Sequence, residues 1–343
     1  MNQTVDVGRI IERLKDVEGI TVAVFGDYCL DKYIYSDPAR DEYSVETDLI
    51  ARQFDRKKTA PGAGGTITNN LRVLGVKVLC VGMTGDDGEG WELRRELAKI
   101  GADTTYLYKA EEVCTPTYMK PMILNPDGSY TEAGRLDFRN FAPPSQETED
   151  RVLANLEKAL NEADACLAVD QFFQRNSGII TDRVRAKFME LAKASGKPIL
   201  ADSRALIHEF TDTMIKCNNI ELIKYFNNGE GDPEDPEQVI ACGKRLYERS
   251  GNPAFITRGS EGMLVFDENG VTSVPAFKVE GPVDICGAGD ASSAGIGTGC
   301  ALGLSYAEAA TLACCISSIT IQQIGETGTA SIPQIIERLG TRK

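Results

Sequence analysis

Short apolar runs alternate with longer amphipathic stretches along most of this chain. Residues 20–25, 77–82 and 165–169 are apolar and are bounded by polar or glycine positions, which is typical of strands buried on both faces of a sheet. The stretches between such runs have the spacing of amphipathic helices. These repeated strand–helix units predict an α/β fold with a mostly parallel central sheet and helices on both faces. Residues 1–343 are predicted to form a single domain.

The elements predicted after residue 60 follow this alternation. The predicted helices are 61–75, 86–101, 147–162, 179–195 and 236–250, followed by three helices that begin at Asp290, Tyr306 and Pro333. The other predicted strands are 104–108, 198–201, 213–217 and 254–257, and a hairpin of 263–266 with 271–275. Residues 228–236 are rich in Gly, Asp, Glu and Pro, which indicates an acidic surface loop.

Two polar insertions interrupt the alternation. Residues 31–59 are polar and aromatic, and residues 113–141 contain a turn sequence, Asn125-Pro126-Asp127-Gly128, that is typical of a hairpin. The insertions are predicted to pair as a small β-rich lid over the carboxyl edge of the sheet, where such folds bind ligands. Lid strands with exposed edges further predict a homodimer in which the two lids pair.

Composition narrows the possible partners and the compartment. A formal charge of −14 argues against binding to nucleic acid or to an anionic membrane, and the apolar runs are shorter than a membrane span. Ten cysteines without CxxC spacing predict reduced thiols and a cytoplasmic protein. Charged residues near the N-terminus predict a helix there and not a signal peptide. The single histidine, His208, makes a Ser-His-Asp mechanism improbable.

The most informative stretch is 283–299. Gly287, Ala288 and Gly289 form a turn almost without side chains, and Asp290 follows at the start of a helix of small residues. The free N–H groups of a helix N-terminus can stabilise a phosphate or a charged transition state. Asp290 at that position can be a helix cap or a general base, and the residues alone leave both readings open.

The stretch 284–290 resembles the C-terminal signature of the ribokinase/PfkB sugar kinases, Asp-Thr-x-Gly-Ala-Gly-Asp. Four further matches occur in the family's order: Gly26-Asp27, the Gly-rich loop 61–65, the Asn-x-x-Glu motif 218–221 and the Thr-x-Gly-x-x-Gly motif 257–262. The resemblance implies a ribokinase-like fold and transfer of the ATP γ-phosphoryl group to a hydroxyl of a sugar or sugar phosphate, assisted by Mg²⁺.

Within the family, the chain is similar to kinases that phosphorylate heptose 7-phosphate. The similarity lies in 26–33, 135–138 and 325–330. Residues 41–47 differ from that group's Ser-Pro-Glu-Ala-Pro segment, and its substrate-loop asparagine falls at Thr66, although Asn69 or Asn70 could serve. The acceptor is therefore less well defined than the reaction. No His-x-Gly-His motif is present, so a nucleotidyltransferase on a separate chain is expected to act next.

The resemblance implies a role for each candidate site residue. Asp290 is the expected base, and the backbone N–H groups of Gly287, Ala288 and Gly289 form the expected anion hole. The expected substrate-binding residues are Asp27, Gly64, Gly65 and Asn70 for the sugar, and Arg135 and Asp137 for a substrate phosphate, with Asp31 as a further candidate for the sugar. The expected nucleotide-binding residues are Asn218, Glu221, Thr257, Gly259, Gly262 and Gly328. Glu221 is expected to hold Mg²⁺ through water, and Asp284 is a candidate ligand for a monovalent cation such as K⁺.

Several of these residues could instead have purely structural roles. Asp27 can be a solvated turn residue, Gly64 and Gly65 can be helix-start glycines, and Arg135 with Asp137 can be a surface ion pair. Three other functions are alternatives: a nucleoside- or vitamin-type kinase, a non-catalytic sugar-sensing descendant, and a Rossmann dehydrogenase. The last is disfavoured because residues 62–65 lack the Gly-x-Gly-x-x-Gly fingerprint.

Overall fold

The computed structural model describes residues 5–226 and 229–342, so the first residue of the predicted acidic loop lies outside the described residues. In the described part of the chain the helices are α1 Val7–Arg13, α2 Gly64–Val73, α3 Gly88–Lys99, α4 Gln146–Glu162, α5 Asp182–Ser195, α6 Asn219–Phe226, α7 Pro236–Ser250, α8 Ala288–Ala301, α9 Tyr306–Thr320 and α10 Ile332–Gly340. The strands are β1 Thr21–Ser36, β2 Glu42–Tyr43, β3 Ile50–Ala51, β4 Phe54–Ala63, β5 Lys77–Gly85, β6 Leu107–Ala110, β7 Thr117–Leu124, β8 Tyr130–Glu132, β9 Leu136–Phe138, β10 Ala165–Asp170, β11 Ile199–Ser203, β12 Met214–Asn218, β13 Ala254–Thr257, β14 Met263–Asp267 and β15 Gly270–Val274.

The central sheet has the strand order β15-β14-β13-β12-β11-β10-β1-β5-β6. All neighbours from β13 to β6 are parallel, and β14 and β15 add an antiparallel hairpin at one edge. The predicted mostly parallel sheet and the predicted hairpin are therefore confirmed. Parallel neighbours place Asp27 of β1 and the carboxyl ends of β10, β11, β12 and β13 along one edge, where several of the candidate residues lie.

A hydrophobic core lies on each face of the sheet. On one face, Leu71 of α2, Ile296 of α8 and Leu312 of α9 pack against β1 and β10. On the other face, Leu156 of α4, Phe188 of α5 and Leu246 of α7 complete a second core. Helices therefore cover both faces, as the sequence pattern predicted, and this packing fixes the N-terminus of α8 against the sheet edge.

The lid is a second sheet that shares β1 with the central one. Beyond Asp27, β1 pairs antiparallel with β4 and parallel with β7, and β7 also pairs with β8 and β9. The two predicted insertions therefore pair, with Asp31 opposite Tyr118. The prediction that the first strand ends near Phe25 was wrong. Its backbone finds new partners in the lid, and Tyr28 and Leu30 stay buried.

Three other predicted boundaries shift for local reasons. The chain before α2 is strand β4, so the helix begins at Gly64 and not at Pro61. Helix α5 begins at Asp182 and not at Ile179, because the Thr181 side chain caps the N–H of Val184. Strand β6 begins only at Leu107, three residues later than predicted.

Candidate active site

The N-terminus of α8 has free backbone donors that face the sheet edge. Gly287 occupies the cap position with φ 78°, a left-handed conformation that favours glycine, and no side chain caps the helix. The N–H of Ala288 donates to the Ile285 carbonyl (3.1 Å). Within the described ranges, the N–H groups of Gly287, Gly289 and Asp290 have no acceptor. Two of the three predicted donors are thus free, and Asp290 adds a third.

Asp290 is half-buried beside these donors. Burial raises the pKa of Asp290 to about 7, with the Asp202 charge acting in the same direction and the Lys216 charge opposing it. Since Gly287 holds the cap position and no side-chain cap bond forms, Asp290 does not act as the helix cap. A carboxylate whose pKa lies close to neutrality can accept a proton from a bound hydroxyl group.

Asp27 has a different environment from the one predicted. It is 4% exposed, and its two oxygens accept hydrogen bonds from the N–H groups of Gln171 and Ile179, each 2.9 Å long. Burial raises the pKa of Asp27 to about 6 although both hydrogen bonds lower it. The carboxylate joins the segment after β10 to β1 through these two hydrogen bonds.

Asp31, four residues further along β1, lies on the lid. Its Oδ1 is 3.4 Å from the Nζ of Lys120, and Gly62 leaves room for its other oxygen. A Cβ on Gly62 would lie only 2.6 Å from Asp31 Oδ2. Asp31 also acts on the pKa of Asp290 through its charge. Asp31 thus lies close enough to the N-terminus of α8 for its charge to act on Asp290.

The predicted residues of α2 lie in helix packing. A side chain on Gly64 would meet the Tyr28 ring at 3.3 Å, and one on Gly65 would meet Pro61. Asn70 is buried and donates to the Thr66 carbonyl (3.0 Å). All three are buried in the described structure, and their role in sugar binding stays a prediction.

Arg135 and Asp137 form an ion pair, which the sequence analysis gave as the structural alternative to substrate binding. Arg135 donates two hydrogen bonds to Asp137, of 2.6 and 2.7 Å. The guanidinium also stacks over the Tyr118 ring at 4.7 Å. Arg135 remains about half exposed, so this pair lies on the lid with one face open.

Asn218 and Glu221 cap α6 reciprocally. The Glu221 N–H donates to Asn218 Oδ1 (2.8 Å), and the Asn218 N–H donates to Glu221 Oε2 (2.9 Å). Burial raises the pKa of Glu221. Its Oε1 has no hydrogen-bond donor among residues 5–226 and 229–342, and those residues contain no group of three potential metal ligands. One free carboxylate oxygen fits a magnesium ion that is carried mainly by nucleotide phosphates and water.

The remaining nucleotide-side residues divide into open and packed positions. Thr257 ends β13, and Gly259 follows with φ 54°. A Cβ on Gly259 would have no atom within 4 Å, so this turn borders open space. Gly262 (φ 90°) turns tightly against Val274, and Gly328 lies against the Thr320 carbonyl. These last two glycines meet packing requirements.

Asp284 links two loops. Its oxygens accept hydrogen bonds from the N–H groups of Cys286 and Gly325, each 3.0 Å long. This holds the loop before α8 against the loop after α9, where Thr327 packs on Gly287. Binding of a monovalent cation at Asp284 stays a prediction.

Two residues at the sheet edge were missed by the sequence reasoning. Lys216 lies near the end of β12, and Arg204 directly follows β11. Neither belongs to a motif that matched the family. Their only signal was a basic residue close to the carboxyl end of a predicted parallel strand. Separately, no helix in the described part of the chain has the length and apolar character needed to cross a membrane.

Comparison with known proteins gives one family. Residues 21–333 match the family described as pfkB family carbohydrate kinase. The chain is 26% identical over 316 residues to the bifunctional protein HldE of Bradyrhizobium sp. (strain ORS 278), covering 91% of this chain and 61% of that protein. It is 27% identical over 326 residues to HldE of Hyphomonas neptunium, covering 94% of this chain and 64% of that protein. The chain therefore spans about three fifths of the length of these relatives.

Solved structures of the same fold have lower sequence identity. Arabidopsis thaliana ribokinase complexed with ribose and ATP has a TM-score of 0.70 at 18% identity, covering 93% of this chain and 98% of that one. Phosphofructokinase-2 from Escherichia coli in complex with potassium has a TM-score of 0.71 at 14% identity, covering 94% and 98%. These similarities confirm the predicted ribokinase-like α/β fold.

Proposed function

Because the chain belongs to the pfkB family of carbohydrate kinases, we propose that it transfers the γ-phosphoryl group of MgATP to a hydroxyl of a sugar phosphate similar to heptose 7-phosphate. The observation that carries the proposal is the position of Asp290. It is a half-buried carboxylate, its pKa is raised to about 7, and it lies beside free N–H groups at the N-terminus of α8.

In the proposed reaction, Asp290 accepts the proton of the acceptor hydroxyl as the hydroxyl oxygen attacks the γ-phosphorus. A bond from that oxygen to phosphorus forms, and the bond to the ADP oxygen breaks. The N–H groups of Gly287, Gly289 and Asp290 stabilise the charge on the transferred oxygens. Mg²⁺, when bound to the nucleotide, would supply positive charge against the phosphates, and Glu221 would hold it through water.

Three positive side chains favour an acceptor that already carries a phosphate. Arg204 is exposed, and within the described ranges no carboxylate pairs with its guanidinium. Its main chain is fixed by Asp170 and by the Tyr225 hydroxyl. Lys120 and Arg135 lie on the lid. Lys120 is part of β7, and Arg135 directly precedes β9, which pairs with β7. Asp31 would bind the sugar hydroxyls.

The proposal is tested by measuring ADP release with MgATP across free sugars, sugar phosphates including heptose 7-phosphate, and nucleosides. Turnover on a sugar phosphate supports it. Turnover only on nucleosides or vitamins would assign the acceptor to another class on the same scaffold. ATP binding without turnover on any acceptor would indicate a sugar-sensing protein instead.

The raised pKa of Asp290 predicts an acid limb in the activity. Because only the carboxylate can accept the proton, kcat/KM for MgATP should fall about tenfold per pH unit below about pH 7. Initial rates between pH 5 and 9 test this, with circular dichroism at each pH to show that the protein stays folded. A flat profile down to pH 5 would contradict a base whose pKa lies near 7.

The exposed apolar side chains of the lid support a homodimer in which the lids pair. Leu136 and Phe138 of β9 are 55% and 50% exposed. Replacing both by aspartate should convert a dimer into monomers in sedimentation equilibrium, while Trp91→Ser, at a similarly exposed site on α3, should not. A native protein that sediments as a monomer would contradict the proposal.

The resemblance also suggests what uses the product. A phosphorylated heptose would be the substrate of a nucleotidyltransferase, and the relatives of this protein are named as bifunctional. A coupled assay with such an enzyme and a nucleoside triphosphate would test whether the product is accepted.

A further inference from the structure

A buried lysine lies beside the anion hole and takes no part in the reaction described so far. Lys216 is 5% exposed near the end of β12, and its Nζ is 2.6 Å from Oδ2 of Asp202, which lies on the neighbouring strand β11. The Ser293 hydroxyl of α8 donates to the same oxygen (2.9 Å). Asp202 therefore connects the lysine to the helix whose N-terminus forms the hole.

The ammonium group lies close to Gly289, one of the residues of the hole. A Cβ on Gly289 would lie 3.2 Å from Lys216 Nζ. Gly289 directly precedes Asp290 and provides one of the free N–H groups. The absence of a side chain at Gly289 thus lets the ammonium approach the residue next to the proposed base.

The lysine keeps its charge in this position. Burial lowers the pKa of Lys216, but the charge and hydrogen bond of Asp202, and then the charges of Asp290 and Glu221, outweigh this and raise it. A buried cation with one bonded partner is retained at neutral pH and acts on its neighbours with little screening by water.

We propose that Lys216 is a positioning residue for Asp290: held by Asp202, which also accepts from Ser293, it places a permanent positive charge beside Gly289 and favours the carboxylate form of Asp290. The inference rests on the proposed function, because it assigns Lys216 to the base of that reaction. Arg204 differs from Lys216 in being exposed and free to bind a ligand, whereas Lys216 is enclosed and acts through Asp290.

Four charged groups face Asp290 from the surrounding elements. Lys216 lies on β12, Asp202 on β11, Arg204 directly after β11, and Asp31 on β1. The two cations favour the carboxylate, and the two acids oppose it. Removing Lys216 and removing Asp202 should therefore move the titration of Asp290 in opposite directions, although the two residues are bonded to each other.

The test follows the Asp290 carboxyl by carbon-13 NMR in the full chain, with Asp290→Asn used to assign its signal. Lys216→Met should raise the titration midpoint by on the order of one pH unit, and Asp202→Asn should lower it. Lys216→Arg should keep the midpoint close to that of the native protein. A purely structural role would give no shift, or shifts in the same direction, and either result would overturn the inference.

A double variant covers the case in which Lys216→Met does not fold because Asp202 is left unpaired. Lys216→Met with Asp202→Asn removes both charges. Because the Lys216 charge lowers the pKa of Asp290, the midpoint of the double variant should lie above that of Asp202→Asn alone. A midpoint no higher than that of Asp202→Asn would overturn the inference.

Kinetics separates this inference from the proposed function. In an active kinase, the acid limb of kcat/KM should move with the NMR midpoint in each variant. If the variants are active but the acid limb of kcat/KM does not move, the role of Lys216 is contradicted, whereas the proposed kinase reaction is still supported. If no acceptor is turned over, the proposed function fails, and the NMR titration still decides whether Lys216 controls Asp290.

Discussion

Replacing Asp290 by asparagine is expected to lower kcat by about 10³-fold, within the range of about 10²–10⁴ that general-base catalysis contributes. The amide has the same shape but cannot accept the hydroxyl proton. The loss should appear in kcat, while the affinity for MgATP changes little, because the N–H groups of Gly287 and Gly289 are retained. Initial rates of ADP formation and calorimetric titration of nucleotide measure the two quantities.

The fold should tolerate this change. Gly287 already occupies the cap position of α8, so the helix does not depend on the Asp290 side chain. Burial also disfavours the Asp290 carboxylate, and a neutral amide avoids that cost. Glu147→Gln is a matched control, because Glu147 is an exposed acid in the first turn of α4. An Asp290→Asn variant with more than a tenth of native activity would contradict the assignment of the base.

The alternation of apolar runs was sufficient to predict the layers of the fold. Each parallel strand is buried on both faces, so its sequence is a short apolar run with clear limits. The lid is different, because its strands are partly exposed and polar, and their pairing depends on contacts between segments far apart in sequence. For this reason β1 was predicted to end at the central sheet, although it continues for about ten residues into the lid.

The same continuation of β1 bears on Asp27, whose role in sugar binding stays a prediction. A strand that ends at Phe25 would present Asp27 at the open edge of the sheet. In the continuous strand, Asp27 lies under the segment after β10, and Asp31 is the acid that reaches the lid. The Gly-Ala-Gly-Asp turn, by contrast, was predictable because its geometry is local: glycine at Gly287 and free N–H groups follow from a few adjacent residues.

Lys216 and Asp202 could not be assigned from the sequence for a related reason. They come together because β11 and β12 are parallel neighbours, and Ser293 joins them only through the packing of α8 on the sheet. The Asn-x-x-Glu motif has the opposite difficulty: it is recognisable in the sequence, but a structural role is enough to explain it. Its capping bonds alone explain the residue types, so the motif does not by itself establish nucleotide binding.

Asp31→Asn is expected to lower kcat/KM for the acceptor by about a hundredfold, because hydrogen bonds from sugar hydroxyls to a charged group contribute about 1.5–3 kcal/mol each. The amide can accept from one hydroxyl but lacks the second acceptor oxygen and the charge. KM for MgATP should stay close to the native value, since Asp31 lies on the lid side of Asp290. Steady-state kinetics with acceptor and nucleotide varied separately measures both effects.

Asp27→Asn is the matched control, four residues earlier on the same strand. Its acceptor kinetics should stay within a few-fold of native, but the pH dependence of its stability should change. The pKa of Asp27 is about 6 in the folded protein and 3.8 ordinarily, so the native protein loses stability as the pH rises through this range. That loss is about 3 kcal/mol in the free energy of unfolding, and it should be absent in the variant. Urea unfolding at pH 4 and pH 7 measures the difference. If Asp27→Asn abolished acceptor turnover while Asp31→Asn did not, Asp27 would be the sugar-binding carboxylate, as the sequence first suggested.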